Sequence, residues 1–185
     1  YNIAIEAIKR GAKVTLISGP TNLEVPKGLH KFIQIESAKQ MYDEVITNLD
    51  DNDVIIKSAA VADYKPANYY DKKIKKSDDD LYLKLERNKD IAKEIGKLKK
   101  DKILVGFAAE TDDIIENAKS KVIKKNMDFI VANDLTKEGA GFSVDTNIVK
   151  IIDKEGDITD YPIMKKEEVA NIILDKIKLL LGHLE

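Results

Sequence analysis

"DVIIKSAAVADYKPA" occupies residues 53–67. Val54-Ile55-Ile56 is apolar without alternation, the pattern of a strand covered on both faces. Such strands are parallel and need crossover helices between them. The strand runs out into Ser58, Ala59, Ala60 and Ala62, followed by Asp63, Tyr64, Lys65 and Pro66. Small residues let another object approach the backbone closely. They equally permit tight helix packing, and the stretch alone leaves both readings open.

Working outward, the chain alternates. "YNIAIEAIKRG" has Ile3, Ala4, Ala7 and Ile8 at helical spacing, with Gly11 suited to the C-terminal cap. Val14 to Ile17 is a short apolar strand. "KFIQIE" (31–36) is the next. Ser37 opens a helix to Leu49 that turns Met41, Val45, Ile46 and Leu49 inward. After the 53–67 stretch, residues 102–108 form a strand and 111–126 a helix. Residues 128–134 and 147–153 form strands, and 165–182 a closing amphipathic helix. The sum is an α/β domain: a Rossmann-like, mainly parallel sheet with helices on both faces, spanning 1–185 as a single domain. Such a domain ordinarily begins with a strand, and none precedes the first helix, so the chain reads as lacking its first strand and the loop after it.

One segment breaks the rhythm. Leu81, Leu83 and Leu85 alternate with Tyr82, Lys84 and Glu86, and Lys73-Ile74-Lys75 alternates on the other side of "SDDD". This predicts a projecting β-hairpin arm over about 65–88. Its leucine face requires cover, either from a second copy of the chain or from its own domain. The loop 135–147, with Gly139 and Gly141, has the length of a lid.

Composition narrows the function. The 185 residues carry 31 Lys+Arg against 33 Asp+Glu, a balance that argues against nucleic-acid binding. The absence of Cys excludes disulfides, thiolate metal sites and cysteine nucleophiles, and is compatible with a reducing compartment. Two histidines, His30 and His183, leave little room for a histidine metal site or a Ser-His triad. No apolar run is long enough to span a membrane. The terminal Leu184-Glu185 is read as a cloning remnant. The chain contains no GxGxxG, GxxxxGK[ST] or GxSxG motif.

Ligands of open α/β sheets bind beyond the carboxyl ends of the strands. Reading those ends gives Ser58, Ala59, Ala60 and Asp63; then Gly106, Phe107, Ala108 and Glu110; then Ala132, Asn133 and Asp134. Lys121 and Lys125 share one helix face. With Lys73 they form either a phosphate-binding wall or ordinary solvated charges. Asn88 or Asp90 caps the helix that follows, and that N-terminus also offers N–H groups to an anion. Asp63 suits either Mg²⁺ or a ribose hydroxyl, or it merely starts the Asp-Tyr-Lys-Pro turn.

"GAKVTLISGP", "SAAVADYKPA", "KIKK", "NKDI", "LVGFAAET" and "AKSKVIKKNMDFIVAND", in that order over nearly the whole chain, resemble the phosphopantothenate–cysteine ligase family. The resemblance implies a cytoplasmic homodimer joined through the hairpin arm, acting in coenzyme A biosynthesis. CTP, with Mg²⁺, would activate 4′-phosphopantothenate as an acyl-cytidylate, and L-cysteine would displace CMP. Carried onto this sequence, Ser58, Ala59 and Ala60 become the nucleotide floor and Asp63 the nucleotide-site and metal aspartate. Lys73 becomes the catalytic lysine at the triphosphate. Asn88, Lys89, Asp90 and Ile91 lie beside base and ribose, Phe107 packs on the nucleotide, and Lys121 and Lys125 complete a basic wall. Lys89 stands where the family usually has proline, so a looser helix start is expected. The family also begins with a strand and glycine-rich loop ahead of this chain's first residue, and without them little ligase activity is expected. It is often fused to a flavin-dependent decarboxylase. The competing expectations are a non-catalytic nucleotide- or NAD(P)-binding domain and a pure assembly scaffold.

Overall fold

The structure, a computed structural model, describes the chain except residues 69, 74, 76–79, 111–112, 135–143 and 183–185, and except the side chains of Glu110 and Asp134. Helix α1 (Asn2–Lys9) ends where the sequence places its stop. Gly11 adopts φ +84°, its N–H bonds the Ile8 carbonyl at 2.9 Å, and the Ala12 N–H bonds the Ala7 carbonyl at 3.0 Å. These paired bonds at a left-handed glycine satisfy the last carbonyls of the helix. Strands β1 (Thr15–Ser18) and β2 (Lys31–Gln34) then pair in parallel, Thr15 opposite Lys31. Helix α2 (Ala38–Thr47) starts with a full capping box: Ser37 accepts from the Gln40 N–H, and Gln40 Oε1 accepts from the Ser37 N–H.

Five strands form the main sheet. These are β3 (Val54–Lys57), β6 (Ile103–Glu110), β7 (Phe129–Asp134), β9 (Val149–Asp153) and β10 (Ile158–Asp160), in the spatial order β10-β9-β7-β6-β3. The first three run parallel, while β9 and β10 add an antiparallel edge. The fold is therefore α/β with a mainly parallel sheet, as expected, plus an antiparallel finish. Strand β10 is too short for its own apolar pattern to appear in the sequence. Strands β8 (Thr146–Asn147) and β11 (Met164–Lys165) make a small antiparallel pair.

Strand alternation splits the core into two layers. Leu104, Ile130, Ala132 and Ile152 face α2, α3 (Ile91–Leu98) and α4 (Ile114–Lys124). Ile103, Val105, Phe129, Val131 and Ile151 face α1 and α5 (Lys166–Leu181), where Val169, Ile173 and Ile177 meet them. Helices thus cover both faces. Among the described residues, no helix is long and apolar enough to cross a membrane.

Among the described residues, the expected arm is strand-paired at its base. Its base pairs β4 (Tyr64–Pro66) with β5 (Leu85–Arg87), Tyr64 opposite Arg87. Lys73 and Lys75 are not in a strand, and Ile74 between them lies outside the described residues, as does most of the expected lid at 135–147. Pairing at the base wins because the Asn88 N–H bonds the Asp63 carbonyl at 2.8 Å and the Ala67 N–H bonds the Lys84 carbonyl at 2.9 Å. Leu81, Leu83 and Leu85 stay more than half exposed.

Candidate functional site

The carboxyl end of β3 gathers most of the residues singled out from the sequence. Ser58, Ala59 and Ala60 follow the strand as an exposed, side-chain-poor rim. Strand alternation sends Ile55 into the layer formed with α2, α3 and α4 and puts Lys57 on the same side. There the Lys57 ammonium donates to the Ala59 carbonyl at 3.0 Å. Burial pushes Lys57 below the ordinary lysine range. The positive charges of Lys125 and Lys121 push the same way, while the Asp90 and Asp63 carboxylates oppose them. Five ionisable groups from β3, the arm base, α3 and the end of α4 therefore share one electrostatic neighbourhood.

Lys57 itself went unremarked in the sequence. The available signal was a lysine ending a four-residue strand that is otherwise wholly apolar, a costly place for a charge without a partner.

Asp90 is the N-cap of α3. It accepts the Lys93 N–H at 3.1 Å and meets the Lys125 ammonium at 3.0 Å. Burial works to raise its pKa, but the Lys93 hydrogen bond and the Lys125 charge outweigh it and hold the carboxylate below its usual value. The helix start is thus firmly capped rather than loosened by Lys89. The Lys89 ammonium lies 4.1 Å from the centre of the Tyr42 ring, a cation–π contact to α2. Lys125 is held in place from below. A Cβ on Gly96 would sit 1.9 Å from the Lys125 carbonyl oxygen, and Asn126 Nδ2 donates to the Gly96 carbonyl at 2.8 Å. Only a glycine lets α3 touch the end of α4 so closely.

Asn88 anchors the opposite wall. Its Nδ2 donates to the Ala62 carbonyl at 2.9 Å, which fixes the stretch carrying Asp63. Asp63 and Asp90 are the carboxylates of the neighbourhood, and no group of three or more metal-ligating side chains occurs among the described residues. Asp90 is already engaged, so a cation here would rest on Asp63 together with oxygens brought by a ligand. That matches the way Mg²⁺ is held, by one or two carboxylates plus phosphate and water.

Three expected residues do not join this cluster. Ile91 is 3% exposed and belongs to the core, so a ligand would meet only its backbone. Phe107 is half-buried against the α5 layer, the opposite face from Lys57, because it falls on the other phase of the strand alternation. Lys73 lies on the exposed arm between β4 and β5. Gly106, one of the strand-end residues, accommodates Met127, whose Sδ would lie 2.5 Å from a Cβ there. Asn133, at the tip of β7, has a buried Oδ1 with no hydrogen-bond partner among the described residues.

An open, mainly parallel α/β domain with a lysine-rich, carboxylate-bearing site at its strand tips is the class of protein these elements define. Within it, the chain belongs to the family described as DNA/pantothenate metabolism flavoprotein C-terminal domain, whose model matches residues 1–180. It is 49% identical over 180 residues to the coenzyme A biosynthesis bifunctional protein CoaBC of Bacillus subtilis (strain 168), covering 97% of this chain and 44% of that protein. It is 42% identical over 179 residues to a cysteine/cysteine sulfinic acid decarboxylase from an unknown prokaryotic organism, covering 96% of this chain and 50% of that one. The chain thus spans about half the length of these relatives. The crystal structure of the C-terminal domain of a CoaBC protein superposes with a TM-score of 0.83 at 38% identity, covering 98% of this chain and 81% of that chain.

Proposed function

We propose that this chain is the ligase portion of a coenzyme A biosynthesis protein, joining 4′-phosphopantothenate to L-cysteine at the expense of CTP. In the first step a carboxylate oxygen of phosphopantothenate attacks the α-phosphorus of CTP, and pyrophosphate leaves with the bonding electrons. In the second, the cysteine amine attacks the acyl carbon, loses a proton, and CMP departs. Neither step needs a protein nucleophile; both need charge neutralisation and positioning. The observation that carries the reading is the convergence of Lys57, Lys121 and Lys125 with Asp63 and Asp90 at one strand tip. Ammonium groups there neutralise phosphate oxygens. The bare rim at Ser58, Ala59 and Ala60 lets a nucleotide lie close to the backbone, and Asn88 and Asp90 shape the wall beside it. Mg²⁺ would be held by Asp63 and would draw charge off the leaving pyrophosphate.

Lys73 would reach the phosphates from the arm, which joins two copies of the chain. Tyr64, Leu81, Leu83 and Leu85 expose half or more of their surface, and such a face calls for cover. Leu83→Glu is expected to convert the homodimer to monomer in analytical ultracentrifugation; an unchanged dimer would remove the arm from the interface. The bifunctional name and double length of the Bacillus relative support a fused or associated flavin-dependent decarboxylase.

The deciding experiment uses the natural full-length protein. CMP release is followed with phosphopantothenate, cysteine and CTP, leaving out each in turn, and calorimetry compares CTP with ATP and NADPH. Release that requires all three substrates is expected. NADPH binding without CMP release would replace the proposal with a dinucleotide-binding role.

A further inference from the structure

We infer that Lys57 is a nucleophilic lysine whose amine condenses with a small aldehyde carrying a phosphate, the phosphate being held by Lys121 and Lys125. The inference stands on the charges gathered at the end of β3 and is independent of the ligase reading.

Placement sets Lys57 apart from the lysines around it. It closes β3 directly after Val54, Ile55 and Ile56 and is itself half-buried. The Lys125 ammonium is matched by the Asp90 carboxylate at 3.0 Å. Among the described residues no carboxylate makes such a pair with Lys57. Its ammonium donates instead to the Ala59 carbonyl at 3.0 Å, a neutral acceptor two residues along the chain. One bond to a carbonyl compensates poorly for a charge drawn out of water.

The surroundings favour the uncharged amine. Burial pushes Lys57 below the ordinary lysine range. The charges of Lys125 and Lys121, on the last turn of α4, push the same way; Asp90 at the start of α3 and Asp63 at the arm base oppose them and are outweighed. An ordinary lysine is uncharged in only about one molecule in 2,500 at pH 7. Lowering its pKa enlarges that nucleophilic fraction. Desolvation beside other cations is how amines that form Schiff bases are activated.

The same cluster selects the electrophile. Ser58, Ala59 and Ala60 are exposed and small, and leave the rim open to an incoming carbonyl. A phosphate on that molecule is neutralised by the Lys121 and Lys125 ammonium groups while its carbonyl carbon meets Lys57. An aldehyde without phosphate gains none of this. In the step itself, the Lys57 ammonium first gives a proton to water. The amine lone pair then forms a bond to the aldehyde carbon, and the carbonyl oxygen takes a proton. The nitrogen expels that oxygen, with one further proton, as water. A protonated imine remains. It carries the same single positive charge as the starting ammonium, so the Asp63 and Asp90 carboxylates face an unchanged charge. A chain modified in this way has its lysine cluster closed to other phosphates.

Pyridoxal 5′-phosphate is the probe. It is applied to the natural full-length protein at neutral pH, trapped with borohydride, and the modified lysines are located by peptide mass spectrometry. Lys57 should be trapped at least about tenfold faster than an exposed lysine remote from the site, such as Lys154. Pyridoxal, which lacks the phosphate, should modify Lys57 at least about tenfold more slowly, and inorganic triphosphate should protect it. Lys125→Met should shrink the preference for the phosphorylated aldehyde, a ratio taken within one protein and so insensitive to a general loss of stability. Trapping of Lys57 no faster than Lys154 overturns the nucleophile. Equal rates with the two aldehydes, or no protection by triphosphate, overturn the phosphate seat. CMP release plays no part in these measurements, so the ligase reading and this one stand or fall separately.

Discussion

Gly96→Ala probes how the site is built, because the methyl group it adds points at the backbone that carries Lys125. A Cβ at this position would lie 1.9 Å from the Lys125 carbonyl oxygen and 2.7 Å from its carbon, against a practical limit of 3.0 Å. The obstacle is backbone rather than a flexible side-chain tip. Helix α3 and the end of α4 must therefore separate by about 1.1 Å. Overpacking of this kind costs about 1–3 kcal/mol, and parting α3 from Asn126 loses the hydrogen bond to the Gly96 carbonyl, about 1 kcal/mol. Alanine returns about 1 kcal/mol of helix propensity. The net loss is about 2 kcal/mol, or about 4–8 °C in Tm for a chain of this size. Because the displaced segment holds Lys125 against Asp90, CTP affinity should fall along with stability. Thermal denaturation and calorimetry on the purified variant read both. A variant as stable as the parent, or about 1 kcal/mol more stable as at an open helical glycine, would refute the packing argument and the positioning role drawn from it.

Lys57→Met keeps the aliphatic stem and removes a charge that burial disfavours, so the ligand-free protein should gain about 0.5–1 kcal/mol while CTP binds about tenfold more weakly; unchanged affinity would take Lys57 out of the site. Lys99→Met takes from the Asp128 carboxylate its near cation, which lies 2.6 Å away and is similarly buried, at a cost of about 3–5 kcal/mol in urea denaturation; a loss below about 1 kcal/mol would show that the Leu104 N–H and the more distant Lys154 ammonium satisfy Asp128 without Lys99. Asp90→Asn preserves the helix cap but not the charge. The folded pKa of Asp90 lies below its unfolded value, so its contribution is complete above about pH 4 and fades as pH falls through the folded pKa. The side chain is 44% exposed, which keeps the effect to about 1 kcal/mol or less. The stability gap between parent and variant should be present at neutral pH and close toward pH 2, and a gap that widens in acid would reverse the assignment.

The alternation of apolar segments named the class of fold and placed most elements within two or three residues, because helices and buried strands are written in local periodicity. Ser37 and Gly11 marked their helix ends for the same reason: a cap is a local bond. The rim at Ser58 to Ala60 and the pair Lys121 and Lys125 were legible as strand end and helix face. What periodicity could not carry was which face of a strand a residue lands on relative to distant helices. Phe107 and Lys57 show this in opposite directions, one expected at the site and turned away from it, the other overlooked and turned into it.

Register was likewise beyond local reading. The arm pairs Tyr64 with Arg87, a partnership held by the Asn88 bonds at its base that no alternation of residues announces. Gly106 and Gly96 look alike as letters. One makes room for Met127 and the other lets two helix ends meet and fixes a lysine beside a carboxylate. The residues along the chain prescribe local hydrogen bonds and apolar faces. The convergence of charges from β3, α3, α4 and the arm base arises only when elements far apart in sequence are packed at van der Waals distance, for no local energy encodes those contacts.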